Sequence, residues 1–374
     1  MDAAPDASAR NETLLRPGKK GLTVLPDGAL NAETPLALLD APLTPVERFF
    51  VRNNGALPRP EPRAEDWALT VDGAVERPLS LGLEALRARF ETVSVTAVLE
   101  CAGNSRHRFT EPVDGLPWGE GAVGCARWTG VRLRDVLHAA GLRPEAVYTA
   151  HFSPDRALDG AGDALSRGLP LWKALASETL LAFAMNDAPL TFLHGAPLRI
   201  VAPGFPGSAW QKWLSRITLR DREHDGAKMT GYDYRLPARP VAPGEWPPPE
   251  EMAVIEDMPV KSHILSPAEG EALRAGHSTT VRGHAWSGHV PLASVEVSTD
   301  GGATWKPAVL GPQEGDFGWA PFALDWVPER AGGRRILARA RNARGRAQPL
   351  DAPWNPKGYA NNACHAVDVA VEPA

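Results

Sequence analysis

Cys101 stands where the alternating apolar residues Val93, Val95, Ala97 and Leu99 give way to a polar loop, Ala102-Gly103-Asn104-Ser105-Arg106. Strand ends that feed polar loops are frequent functional positions. Gly103-Asn104 allows a tight turn beside the sulfur, and Arg106, His107 and Arg108 supply a cationic neighbourhood that favours a thiolate. Such a thiolate is either a nucleophile or a soft metal ligand. The plainer alternative is a small hydrophobe closing a strand, since buried free cysteines are common. Cys125, among apolar neighbours, and Cys364, before a terminal strand, read as packing. The three cysteines are far apart, with no CxxC or CxxCH, which argues against structural zinc, a disulfide framework and covalently attached c-type haem.

Two further groups point to anions. Arg52 follows Phe49, Phe50 and Val51 and precedes Asn53 and Asn54; the alternative is an ordinary surface arginine. His194 and Arg199 flank Gly195-Ala196-Pro197, although His194 alone reads equally as a structural histidine. Downstream, Trp210-Gln211-Lys212-Trp213 closes a glycine-bearing loop whose backbone N–H groups suit phosphate. The pattern GxxxxGK[ST] is absent, so this is not a P-loop.

These residues need a scaffold. Residues 93–100 are expected to form a strand ending at Glu100-Cys101. Leu133, Val136, Leu137 and Ala140 predict a helix stopped by Gly141. Leu83, Leu86 and Phe90 predict another over 79–90, with Ser80 as its N-cap. Residues 179–202 hold two apolar stretches around the turn Asn186-Asp187-Ala188-Pro189, and Phe49–Asn54 reads as a short strand running into a loop. Beyond the proline-dense stretch 236–259, strands are expected around Val281–Trp286, at 294–299, 322–327, 335–341 and 365–371, with a hairpin turn at Asp300-Gly301-Gly302. Such spacing points to an all-β sandwich. The expected organisation is an N-terminal arm (1–44), a catalytic α+β domain (45–245) and a β-sandwich (246–374).

Composition sets the outer bounds. The 374 residues include 36 Pro and 35 Gly, well above ordinary usage, which favours turns and strands over long helices. With 43% hydrophobic and 23% charged residues the chain is globular, and it is long enough for two domains. A net charge of −5 argues against a nucleic-acid partner. No apolar run approaches the ~20 residues of a membrane span. The opening residues lack a secretory apolar core and a twin arginine, so a cytoplasmic location is expected, or a periplasmic one if a leader has been removed.

Taken together, Glu100–Arg106, Gly115-Leu116-Pro117-Trp118, Ala126–Leu133, His194–Arg199 with Trp210-Gln211-Lys212, Gly283–Gly288 and Ser298–Trp305 resemble the sulfite oxidase family of molybdopterin enzymes, in particular its bacterial, haem-free type. The resemblance runs from about Pro45 to the C-terminus. It implies a mixed α/β molybdopterin-binding domain followed by an immunoglobulin-like dimerisation domain, hence a homodimer. It implies that Cys101 is the protein thiolate on molybdenum. Phe50, Val51, Arg52, Asn53, Asn54, Asp155, His194, Arg199, Trp210, Gln211 and Lys212 would contact the pterin, with His194, Arg199 and Lys212 near its phosphate. The substrate pocket would use Arg52, Arg106, Trp118, Tyr234 and Lys357, with Tyr232 a neighbouring competitor for the tyrosine. The sequence departs from the family pattern at Lys357, where the pattern has Arg; at Asn54, where vertebrate enzymes have His; and at Ser105, where it has Arg. The implied activity is oxidation of sulfite, or a similar small oxyanion, with electrons passed to an external acceptor such as a c-type cytochrome. Alternatives are a reductase of the same fold acting on nitrate or an S-oxide, a cofactor-binding protein of negligible turnover, and a Cys101–His hydrolase.

Overall fold

The structure is a computed structural model that describes residues 11–13, 15 and 18–374. The first ten residues of the expected arm, and positions 14, 16 and 17, lie outside the described residues. Beside a two-residue pairing of Thr23–Val24 with Ala32–Glu33, two five-stranded sheets build the N-terminal unit. Their strands are β1 (Ala68–Gly73), β2 (Leu79–Gly82), β3 (Thr92–Glu100), β4 (Val123–Arg132), β5 (Tyr148–Phe152), β6 (Gly168–Pro170), β7 (Leu180–Met185), β8 (Ala188–Pro189), β9 (Arg199–Val201) and β10 (Arg216–Arg220). One sheet runs β8-β7-β4-β3, with β9 also on β7; the other runs β2-β1-β10-β5-β6. Among the described residues of these two sheets, only β1 and β10 pair in parallel. Helices α1 (Leu83–Arg89), α2 (Leu133–Ala140) and α3 (Leu171–Ala174) sit at strand ends. Leu69, Val71, Leu99, Trp128, Val131, Leu137, Leu181, Ile200 and Ile217 share one core.

The local reasons are legible. Strand β3 turns Val93, Val95, Ala97 and Leu99 to one side and pairs with β4 along its whole length. Helix α2 buries Leu133, Val136, Leu137 and Ala140 and stops at Gly141, whose φ of 73° suits glycine. The expected N-cap at Ser80 is not realised. Ser80 lies in β2 opposite Thr70, and Gly82 precedes the helix. Sheet pairing with β1 takes residues that helical spacing alone would claim. Phe49–Asn54 is likewise not a strand; Val51 makes a single bridge to Ala32, and loop follows. With helices of seven, eight and four residues after residue 18, the molecule is mostly β, not an even α+β mixture.

The proline-dense stretch is ordered in part by strand pairing. Arg235–Pro237 pairs with Met252–Val254 and folds the stretch back on itself. Beyond it lie β11 (Lys261–Ser266), β12 (Ala272–Arg274), β13 (Thr279–Trp286), β14 (Leu292–Ser298), β15 (Lys306–Pro307), β16 (Val309–Leu310), β17 (Ala320–Trp326), β18 (Gly332–Asn342) and β19 (His365–Glu372). They form sheets β11-β13-β17-β16 and β12-β19-β18-β14-β15, which share an apolar core of Ile264, Val281, Val297, Phe322, Ile336 and Val369. A separate cluster seals the seam between the units: Leu39, Val98, Val123, Cys125, Trp286 and Trp319. Cys125 is thus a packing residue of the seam, its thiol pushed up to about 12 by burial.

The seam also carries charge. Lys261 Nζ lies 3.1 Å from Glu100 Oε1, and Trp286 Nε1 donates to Glu100 Oε2 at 2.8 Å. The residue directly before Cys101 is therefore fixed by the C-terminal unit.

Candidate active site

Strand β3 ends at Glu100 and delivers Cys101 into a loop whose turn is closed by Asn104 N–H donating to Cys101 O at 2.9 Å. The Cys101 N–H donates to Ala122 O, also at 2.9 Å. Ser105 adopts φ 66° and sends Arg106 inward. Two cavities meet at this point. Both are lined by Cys101, Arg52, Asn54 and Tyr234.

The first cavity collects Phe50, Asn53, Asp155, His194, Arg199, Trp210, Gln211 and Lys212. It therefore gathers all the expected pterin contacts except Val51. Val51 packs instead with Leu30, Ala32 and Leu193, because its bridge to Ala32 turns it away from Phe50 and Arg52. Arg199 and Lys212 are buried here and hydrogen-bonded to neutral oxygens. Arg199 Nη1 and Nη2 donate to His194 O (2.9 Å) and Trp210 O (3.0 Å); Lys212 Nζ donates to Asn53 Oδ1 and to Leu193 O (3.1 Å). Gly195, at φ 99°, leaves room for Lys212: a Cβ there would stand 2.9 Å from the lysine Cβ. Burial lowers Arg199 to about 9. Burial first, and then the Arg199 charge, hold Lys212 well below the usual lysine range. His194 is held well below the usual histidine range by burial and by Lys19, Arg199 and Lys212. Asp155, pushed up by burial, is the carboxylate in this cavity. Basic groups outnumber the carboxylate among the lining residues, which suits an anionic ligand.

The second cavity holds Arg106, Trp118 and Lys357. Arg106 donates Nε to Lys357 O (2.8 Å) and Nη1 to Leu116 O (2.6 Å), and its guanidinium lies over the Tyr359 ring. Tyr234 Oη donates to Asn54 Oδ1 at 2.8 Å. Tyr232 points elsewhere, donating to Pro247 O and packing on Trp246. Lys357 is at the wall, but its Nζ is held by Asp114 (2.5 Å) and Asp233 (3.3 Å). Lys19, Ser208, Lys228 and Tyr359 also belong to the site, and no motif marks them. Lys19 reaches from the arm to Val46 O, Phe49 O and, at 2.5 Å, His194 Nε2. Ser208 Oγ is buried without a partner at the first cavity.

No group of three or more His, Cys, Asp or Glu among the described residues could hold a metal unaided. A metal at Cys101 has to arrive with ligands of its own. The first cavity fits an anionic carrier: Arg199 and Lys212 line it beside one carboxylate, Ser208 offers an unpartnered hydroxyl, and Cys101 lies on its wall.

Residues 55–228 match the oxidoreductase molybdopterin binding domain, and residues 252–372 match the Mo-co oxidoreductase dimerisation domain. The chain is 38% identical over 364 residues to the sulfite oxidase of Gallus gallus, covering 93% of this chain and 78% of that protein. It is 36% identical over 360 residues to the mitochondrial sulfite oxidase of Homo sapiens, covering 92% of this chain and 64% of that one. A nitrate reductase of Hordeum vulgare is 32% identical, and the match covers 41% of its length. The sulfane dehydrogenase SoxCD of Paracoccus pantotrophus superimposes with a TM-score of 0.76 at 25% identity, over all of this chain and 96% of the matched chain. The chain belongs to the sulfite oxidase family of molybdopterin oxidoreductases, and its cofactor is molybdenum–molybdopterin.

Proposed function

We propose that the chain oxidises sulfite to sulfate at a cofactor seated in the first cavity, with the substrate entering through the second. The placement of Cys101 at the junction of the two cavities carries this reading. His194, Arg199, Lys212 and Ser208 would hold the cofactor's phosphate, Asp155, Gln211 and Trp210 its ring system, and Cys101 its metal through a soft thiolate. When bound, the molybdenum centre supplies the two-electron oxidation. The protein attracts the anion with Arg52 and Arg106, and Tyr234 hydrogen-bonds the substrate with its hydroxyl, aimed by Asn54. Sulfite gains one oxygen from water and releases two protons and two electrons. The electrons leave for an external acceptor such as a c-type cytochrome. We further read 45–245 as the catalytic domain and 246–374 as an immunoglobulin-like sandwich through which two copies associate.

The test is metal analysis paired with a sulfite:ferricyanide assay and an absorption spectrum. One molybdenum per chain, sulfite turnover and no Soret band are expected. Metal-loaded protein without turnover would overturn the activity, and nitrate reduction in a parallel assay would favour the reductase alternative. Arg52→Gln should raise the sulfite KM more than it lowers kcat, because its charge binds the anion before reaction.

A further inference from the structure

The four cations of the second cavity are not equivalent. Lys357 has two carboxylates within 3.3 Å of its ammonium, so an anion approaching it has to displace a partner already in place. Arg52 gives its donors to Asn31 Oδ1 (3.1 Å), Asn53 O and Asn54 Oδ1 (3.1 Å), and Arg106 gives two to carbonyls. Lys228, which like Arg52 and Arg106 has no carboxylate partner, is set apart by having a single hydrogen-bond partner. Its Nζ donates to Asn54 Oδ1 at 3.1 Å, and among the described residues no carboxylate lies within ion-pairing distance of it. An ammonium has three hydrogens, so two remain to be given.

The backbone points the same way. Lys228 sits at φ 64°, a left-handed conformation that a lysine adopts at a cost. Arg167 Nη1 holds it there, donating to Lys228 O at 2.5 Å. The strained residue is thus braced from behind, and its side chain is brought to the same amide oxygen that receives Tyr234 Oη and Arg52 Nη2. Asn54 Oδ1 gathers three donors at the junction where Cys101 faces both cavities.

We propose that Lys228 contacts the oxyanion substrate directly and takes the third cationic position, while Lys357, clamped by Asp114 and Asp233, is a charge-paired post of the pocket wall. The inference rests on the oxyanion-oxidising function proposed above and names which residues touch that substrate.

Two readouts test it on the molybdenum-loaded protein: calorimetric titration with sulfate, and steady-state sulfite oxidation. Loss of one charge-assisted hydrogen bond should weaken sulfate binding and raise the sulfite KM by about ten-fold or more in Lys228→Met, with the smaller effect on kcat. Lys228→Arg should recover most of the affinity. Lys228→Gly removes the amine but suits the left-handed backbone, so it should match Lys228→Met in affinity while melting no lower than wild type. Lys357→Met should weaken sulfate less than Lys228→Met does. The proposal is overturned if Lys228→Met binds sulfate as wild type does, if wild type binds none, or if Lys357→Met is the more damaging change. Sulfate binding that depends on Lys228 in a protein that does not oxidise sulfite would instead sink the proposed function and leave the anion site standing.

Discussion

Removing Lys261 from beneath the loop that follows Cys101 tests how the two units cooperate. Lys261 and Glu100 are 2% and 3% exposed, and the ion pair between them is 3.1 Å long. In Lys261→Met, Glu100 keeps two neutral donors, Trp286 Nε1 at 2.8 Å and Asn104 Nδ2 at 3.1 Å. A buried carboxylate stripped of its cation costs about 3–5 kcal/mol, and the surviving donors place this one near the lower figure. At roughly 2–4 °C per kcal/mol for a unit of this size, the melting temperature should fall by about 6–12 °C. Adding Glu100→Gln removes the stranded charge while its amide oxygen still accepts from Trp286. The double variant should therefore recover at least about 1.5 kcal/mol relative to Lys261→Met. Calorimetric melting of the wild type, both single variants and the double variant, with molybdenum content matched, provides the cycle. A fall of less than about 2 °C in Lys261→Met, or a double variant no more stable than the single, would refute the reasoning.

Acid should weaken the fold before its carboxylates titrate. Burial lowers His151 to about 3 and His284 to about 4, so each stays neutral in the folded state while it protonates near pH 6.5 in the unfolded chain. Their contribution is fully present above pH 6.5 and is lost as pH falls towards those lower values, reaching about 2 kcal/mol each by pH 5. Urea denaturation at pH 7 and pH 5 measures it, and equal stabilities would refute it. Gly103→Ala would set a Cβ 2.5 Å from Arg106 Nη2, pushing the guanidinium against its bonds to Lys357 O and Leu116 O. Sulfite KM should rise several-fold with little loss of melting temperature, and an unchanged KM would show that Arg106 has room to yield.

What could be read from the sequence was what is local. Strand β3, helix α2 and the turn at Gly301-Gly302 each follow from period and turn chemistry within about ten residues, and each is present. The sheet containing β1, β5 and β10 escapes that reading. β10 is only Arg-Ile-Thr-Leu-Arg, with an arginine at each end, and its partners lie far away along the chain. Ser80 fails for the related reason that strand pairing overrides a helical pattern. The site was legible where motifs carry it: Cys101, His194, Arg199 and Lys212 converge as expected. Lys228, Ser208 and Lys19 are single residues without a pattern, and only tertiary placement gives them meaning. The same holds for the pairing of Lys357 with Asp114, residues separated by 243 positions.

The arm's Lys19 touches a histidine 175 positions further along and, through the same ammonium, the carbonyl of Phe49. One side chain therefore ties the arm both to the loop that leads into Arg52 and to the turn that carries His194, so a substitution at Lys19 is felt at both together.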